Sequence, residues 1–476
     1  LYKKHPSPAR LRRIWSTTYN FWDELIENIL KEKSLYISDI EASNIKKERK
    51  DYLKEIRFKR VHLKAKGFDE PGLYKLKING VESEWYWDGR ELISINNLQL
   101  LFGSYKSKNL KELRKELSKA KIELSNKEDS KKEIKIEPLD SESSYLPFTE
   151  IFKSPVSFII IVPATSAVDI IKKIKEKYED EFGKVRNRLP LHIGVIYFHR
   201  KAPLYIALNS VRRFFKGITE NEYRRICAVC DFDVNIAKRK PEKIKLTFDK
   251  GVTPTEIKVP ILTGHIDVDD NYYPYFLINK ADNIEKRPSY FVGFRKSHST
   301  GNNSLLKVPL LHVSDLQKDD EIEFVPSYFD FEFLDTNTRR FDIILEKGKR
   351  PHRIFNRGPR SYYLEEIDAF QNLWNILCGK NKQRKKLTSS QINNFQTLLV
   401  SKIEEWGLKD VYFDKDNEKM RKFEKLVEDS IIRILEIKRD NHHFEFIKQS
   451  VLSGLFFDVI ELFMTIMKEK PEEVSE

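Results

Sequence analysis

The chain has 476 residues, with 86 Lys and Arg against 73 Asp and Glu, for a net charge of +13. That length exceeds one ordinary core, and 40% hydrophobic with 33% charged residues is the composition of folded domains under a heavy charged shell, which excludes a wholly disordered chain. Three cysteines exclude a disulfide framework and predict a reducing, cytoplasmic setting, and no apolar run approaches the roughly 18 residues of a membrane span. The cationic surplus points to polyanionic partners, nucleic acid ahead of membrane surfaces.

The chain begins Leu1-Tyr2-Lys3-Lys4-His5-Pro6, without an initiator Met or the apolar stretch of a signal peptide. It is expected to be part of a longer polypeptide. From Pro8 to Leu30 apolar residues recur with a helical period, starting at Leu11, Ile14 and Trp15. Arg10, Arg12 and Arg13 occupy the first turns of this helix, where cations oppose the macrodipole. A phosphate or an acidic neighbour would compensate them, and so would solvent.

Residues 56–101 read as strands, with runs at Ile56–Leu63, Gly72–Ile78, Glu84–Trp87 and Leu92–Ile95. Turns are predicted at Lys66-Gly67, Asn79-Gly80 and Asp88-Gly89. From Ser104 to Glu137 the composition shifts to Lys, Glu and Ser, which reads as an exposed helix or a mobile insertion.

A buried strand is predicted at Val156–Val162, a helix at Ala167–Phe182 stopping at Gly183, a strand at Leu189–Phe198 and a helix at Pro203–Phe215. Strand, helix, strand, helix with short joins is the grammar of a βαβ unit on a sheet. Residues 217–350 are again strand-rich. Helical periods return at Tyr362–Leu377, Ser389–Trp406, Glu418–Arg439 and Phe444–Lys468, which suggests a helical bundle.

The chemical motifs are sparse. Cys227 and Cys230 have metal-ligand spacing, but a structural zinc site needs four ligands and Cys378 lies far along the chain. A buried pair is the competing reading. Asp267, Asp269 and Asp270 form an acidic cluster that reads as a Mg²⁺ site or a polar turn. The basic features are better placed: Lys184, Arg186 and Arg188 join helix to strand, Arg212 and Arg213 follow on the next helix, and Arg339, Arg340 and Arg357 fall in cationic stretches. Arginine beside aromatic residues suits phosphates and unstacked bases.

Several stretches, in order along almost the whole chain, carry a resemblance: 6–15 (PSPARLRRIW), 85–98 (WYWDGRELISINNL), 183–198 (GKVRNRLPLHIGVIYF), 272–276 (YYPYF), 326–341 (PSYFDFEFLDTNTRRF), 362–370 (YYLEEIDAF) and 453–462 (SGLFFDVIEL). With them the chain resembles the large, palm-containing subunit of type III CRISPR interference complexes, in its subtype III-C form. The resemblance implies an α+β fold with a degenerate ferredoxin-like palm of cyclase or polymerase type, β-rich insertions and a C-terminal helical bundle. The expected divisions are a helical lead-in at 1–55, a β-rich insertion at 56–140, a palm remnant at 141–216, a β-rich domain at 217–360 and the bundle at 361–476.

It further implies guide RNA and target RNA as partners, with the backbone and small subunits of such a complex and no membrane. The expected RNA contacts are Arg10, Arg12, Arg13, Lys184, Arg186, Arg188, Arg339, Arg340 and Arg357. Active relatives hold two Mg²⁺ ions on a Gly-Gly-Asp-Asp hairpin and join ATP into cyclic oligoadenylates, since metals activate the attacking hydroxyl and neutralise phosphate charge. Here the matching hairpin tip reads Phe152-Lys153-Ser154-Pro155, with Glu150 the one nearby carboxylate. The expectation is an RNA-binding subunit with an inactive palm, no catalytic residue, no metal and no cofactor. The rival is an active palm enzyme making cyclic oligoadenylates.

Overall fold

The computed structural model of the chain describes residues 8–37, 46–66, 68, 70–78, 81–95, 112, 122–124, 135–136, 141–186, 189–199, 202–213, 226–229, 243–248, 255–260, 270, 273–296, 305–334, 362–377, 387–408 and 417–468. The fold is mixed α and β, and the chain divides into two compact units built mainly on Ser7–Ile170 and Ile171–Ile466.

In the amino-terminal unit α1 (Pro8–Leu25) runs into a π turn at Ile26–Leu30. It buries Phe21, Leu25, Ile29 and Leu30. α2 (Lys47–Arg57) precedes β1 (Lys59–Lys66). Ile56, expected to open a strand, instead closes this helix. Tyr52, Leu53 and Ile56 lie on one helical face and are buried together, so the helical period extends through the residue that the strand pattern claimed.

The expected hairpins follow as β2 (Gly72–Ile78), β3 (Val81–Trp87) and β4 (Glu91–Ser94). β5 (Ile122–Leu124), β6 (Lys135–Ile136) and β7 (Ser141–Ser144) complete an antiparallel sheet of order β5–β2–β3–β4–β1–β6, with β7 also on β1. Of the Lys- and Glu-rich segment the described residues are Glu112, helical and exposed, and the two short strands β5 and β6; the rest lies outside the described residues. Along β3 the pleat turns Ser83, Trp85 and Trp87 inward and Glu82, Glu84 and Tyr86 outward. Trp85 Nε1 donates to Ser83 Oγ at 2.8 Å, so the buried indole is satisfied. At the β3–β4 turn Asp88 Oδ1 accepts the N–H groups of Arg90 and Glu91, and Gly89 takes φ 96°, a conformation glycine adopts without a Cβ clash.

β8 (Thr149–Ser154) and β9 (Ser157–Ile161) form a separate hairpin. Ser154 pairs with Ser157, which leaves Pro155 and Val156 as the two-residue tip. Val156 is therefore 92% exposed and not the first residue of a buried strand. β9 itself is half-buried along most of its length. α3 covers Ala167–Phe182, the range its apolar period predicts, and the division between the units falls within it.

The carboxy-terminal unit contains β10 (Ile193–Tyr197), α4 (Leu204–Arg213), β11 (Ile226–Val229), β12 (Lys243–Phe248), β13 (Thr255–Pro260), β14 (Tyr275–Lys280), β15 (Phe291–Lys296), β16 (Leu305–His312), β17 (Glu321–Phe324), β18 (Tyr328–Phe333) and β19 (Tyr362–Tyr363). One sheet has the order β13–β12–β11–β17–β14–β16–β15 and is antiparallel throughout. Its core packs Ile257, Val259, Phe276, Ile278, Leu311, Ile322 and Phe324. The other sheet is β10–β18–β19, in which β10 and β18 run parallel and β19 antiparallel.

α5 (Ile367–Leu377), α6 (Ser389–Glu405), α7 (Glu418–Ile434), α8 (Phe444–Ser453) and α9 (Leu455–Lys468) form the helical region at the C-terminal side. Phe370 of α5 sets its ring edge-on to Phe329 and Phe331 of β18, at 5.8 and 6.1 Å between centroids. Trp374 stacks on Phe463 of α9 at 5.0 Å. The single helix expected over Phe444–Lys468 is two, because Gly454 takes φ 91° and ends α8 in the left-handed cap geometry. Among the described residues no single helix is long and apolar enough to cross a membrane, and α8 with α9 meet at a 92° break.

Candidate nucleic-acid interface

The cationic residues singled out by sequence separate into distinct settings. Arg12 stands exposed on α1 and has no ion-pair partner among the described residues. Arg10 and Arg13 belong to the same helix. Lys184 follows the α3 terminus and its Nζ donates to Asp270 Oδ2 at 2.9 Å. Asp270 also accepts the Tyr273 N–H through Oδ1 at 3.1 Å. The carboxylate read as part of a Mg²⁺ site or a polar turn thus serves a lysine and a turn; Asp267 and Asp269 lie outside the described residues, as do Arg188, Arg339, Arg340 and Arg357.

Arg186 requires a correction. Only 1% of it is exposed. Its Nη2 donates to Glu365 Oε1, and its Nη1 lies 3.7 Å from Glu179 Oε1 on α3. The guanidinium also faces the rings of Tyr178 and Phe324, each 5.7 Å from its central carbon. Burial pulls its pKa down, opposed by Tyr178 and Glu179. An arginine enclosed by carboxylates and rings cannot reach a phosphate, so Arg186 is a structural cation. The same network continues through Lys175, whose Nζ binds Asp368 Oδ2 at 2.9 Å and Glu179 Oε1 at 3.2 Å. Together these pairs tie α3 to the turn that opens α5.

The residue after α3, Gly183, is a glycine for a steric reason. A Cβ there would stand 2.3 Å from the Glu179 carbonyl oxygen and 2.7 Å from Pro260 Cδ. The glycine lets the loop bearing Lys184 pass close beside β13.

The β8–β9 hairpin carries Glu150 and Lys153. Lys153 Nζ donates to Asp23 Oδ1 of α1 at 2.5 Å and lies 4.8 Å from the Tyr19 ring centroid. Its pKa is raised, first by the hydrogen bond to Asp23. Next to it Phe158 stacks on Trp22 at 5.0 Å. One hairpin face is thus fastened to α1 by an ion pair and a ring stack. Glu150 is exposed and pairs in register with Ile160. Among the described residues no group of three or more His, Cys, Asp or Glu is placed to hold a metal ion. Cys227 lies in β11 opposite Glu323, and Cys230 falls outside the described residues.

Comparison with protein families, curated proteins and solved structures gives no match to this chain.

Sequence reasoning named the Arg212 end of α4 as basic but not the helix face that carries it. Ala207 and Ser210 are buried, at 3% and 1% exposure, while Tyr205, Asn209 and Arg212 are exposed. The signal was available: those three positions follow the i, i+4, i+7 spacing of one helical face.

Proposed function

We propose that this chain is the RNA-binding large subunit of a type III CRISPR effector complex, of the subtype III-C form, with a degenerate ferredoxin-like palm that makes no nucleotide messenger. The ordered resemblance along the chain supports the family, and the net charge of +13 supports guide and target RNA as the polyanions it binds.

The observation that carries the loss of cyclase chemistry is the β8–β9 hairpin. At the place where the resemblance puts two metal-binding carboxylates, the turn is Ser154-Pro155-Val156-Ser157, and the adjoining cation, Lys153, is bound to Asp23. A two-metal site needs clustered anionic oxygens. A lysine in that position repels Mg²⁺ and already neutralises the nearest carboxylate.

The test is purification of the complex from its host, followed by incubation with target RNA, ATP and Mg²⁺. Guide RNA and companion subunits are expected to co-purify, and no cyclic or linear oligoadenylate is expected. Oligoadenylate that disappears on Glu150→Gln or Asp269→Asn would establish the active-palm alternative. Recovery of the chain without guide RNA or companions would sink the CRISPR assignment.

A further inference from the structure

We propose that the outer face of α4 is a contact for single-stranded RNA, in which Tyr205 stacks on a base and Arg212 binds a neighbouring phosphate. This rests on the RNA-binding reading above and gives it a surface.

The helix is two-sided. It turns Ala207 and Ser210 into the carboxy-terminal unit, and on the opposite side Tyr205, Asn209 and Arg212 line up. Tyr205 is 63% exposed, an aromatic ring set out in water. Neither Tyr205 nor Arg212 has a hydrogen-bond, ion-pair or ring partner among the described residues. Lys184, Arg186 and Lys175, by contrast, are already paired, with Asp270, Glu365 and Asp368. Arg212 keeps its charge for something outside the chain's described part.

Charge selects the occupant. No Asp or Glu occurs between Glu181 and Glu220, although the chain holds 73 of them in 476 residues. Lys184, Arg186, Arg188, Arg200, Lys201, Arg212, Arg213 and Lys216 all fall in that interval. Arg186 is buried and Lys184 is paired, which leaves Arg212 as the exposed arginine of this interval among the described residues, and a sequence segment without carboxylates around it favours a polyanion. Beside Tyr205 the exposed large apolar side chain of α4 among the described residues is Leu204, 45% exposed, which falls short of the contiguous apolar core of a protein-docking patch. It offers one ring, one amide and one guanidinium, the set by which single strands are held through base stacking and phosphate contact. Tyr205 and Arg212 are seven residues apart, about 10 Å along the helix axis, so a base and a phosphate of one short strand reach both.

The experiment measures binding of the full chain to a fluorescein-labelled single-stranded RNA by anisotropy across a series of NaCl concentrations, with the DNA of the same sequence as a second arm. Tyr205→Ala is expected to weaken RNA binding about tenfold, and Tyr205→Phe to bind as the parent does, because the ring is kept. Arg212→Gln is expected to weaken binding and make the log–log salt slope shallower by about 0.7. Both side chains are exposed, and unchanged melting temperatures confirm that the variants fold. If the parent binds RNA and both variants bind it equally well, the α4 contact is wrong while the RNA-binding reading stands. If the parent binds no RNA, both fail. Tighter binding to the DNA strand overturns the choice of RNA. Loss of a companion protein with RNA affinity intact makes the face a protein-docking surface and overturns the proposal.

Discussion

Arg186 and Glu365 are 179 residues apart in sequence and meet as a buried ion pair in the carboxy-terminal unit. The pair joins the end of α3 to the turn opening α5. Truncating the cation leaves Glu365 charged where water does not reach. Arg186→Ala is therefore expected to cost about 3–5 kcal/mol of stability, measured by urea denaturation. Replacing both partners with Met removes the charges together and is expected to recover most of that loss. Under conditions where Arg186→Ala remains folded, the salt dependence of RNA binding should equal that of the parent. A shallower slope would return Arg186 to the RNA surface.

Glu366 and His192 titrate in opposite senses. Burial pushes the Glu366 carboxyl up to about 7, against the lowering effect of the Tyr363 N–H that it accepts. Burial brings the His192 imidazole down to about 4. The folded state favours protonated Glu366, so that carboxyl's contribution is lost as pH rises from about 4.5 to about 7. It also favours neutral His192, so that contribution is lost as pH falls from 6.5 to about 4. The two slopes oppose each other over nearly the same range. Glu366→Gln keeps an acceptor for Tyr363 and removes one slope. Its stability relative to the parent is expected to rise by on the order of 3 kcal/mol between those pH values and then level off. Denaturation curves at pH 4.5, 6 and 7.5 check this, and a difference that does not change with pH rules it out.

Gly183 marks a close approach of backbone to β13. Because an added Cβ would fall 2.3 Å from the Glu179 carbonyl oxygen and 2.7 Å from Pro260 Cδ, Gly183→Ala forces the loop or the proline ring to shift. The expected loss is about 1–3 kcal/mol, read as a lower denaturation midpoint. A midpoint at or above that of the parent would mean that the loop and β13 do not meet this closely.

Local chemistry was legible and long-range pairing was not. The β2–β3–β4 hairpins follow from their Gly turns and from the alternation of Ser83, Trp85 and Trp87. The extent of α3 follows from its apolar spacing and from Gly183. The parallel partnership of β10 with β18 had no such mark: Gly194 lies opposite Asp330, and nothing near either residue encodes the other. The fate of Arg186 was hidden for the same reason. Its surroundings in sequence are cationic and turn-like, so it read as a surface charge until Glu365, far along the chain, was placed against it. Val156 misled at short range, because the Ser154–Ser157 pairing that puts it at a tip is a matter of register, and register is set by the turn rather than by hydrophobicity.

Lys448 tests the packing of α7 on α8. Only 9% of the residue is exposed, and its Nζ reaches Glu445 at 2.9 Å and Glu424 and Glu428 at 3.2 Å each. Burial alone would lower its pKa, but hydrogen bonds to Glu445, Glu424 and Glu428 outweigh it and the pKa is raised. The charged lysine therefore stabilises the fold fully below about pH 10.5, and this contribution is lost as pH rises through the higher folded value. Lys448→Met keeps the buried stem and removes the charge, leaving carboxylates that are partly open to solvent. The expected cost at pH 7 is about 2–3 kcal/mol, with the difference between parent and variant shrinking only as pH rises above about 10.5. Equal stability at pH 7 would mean that the three carboxylates are as well served by water as by the lysine.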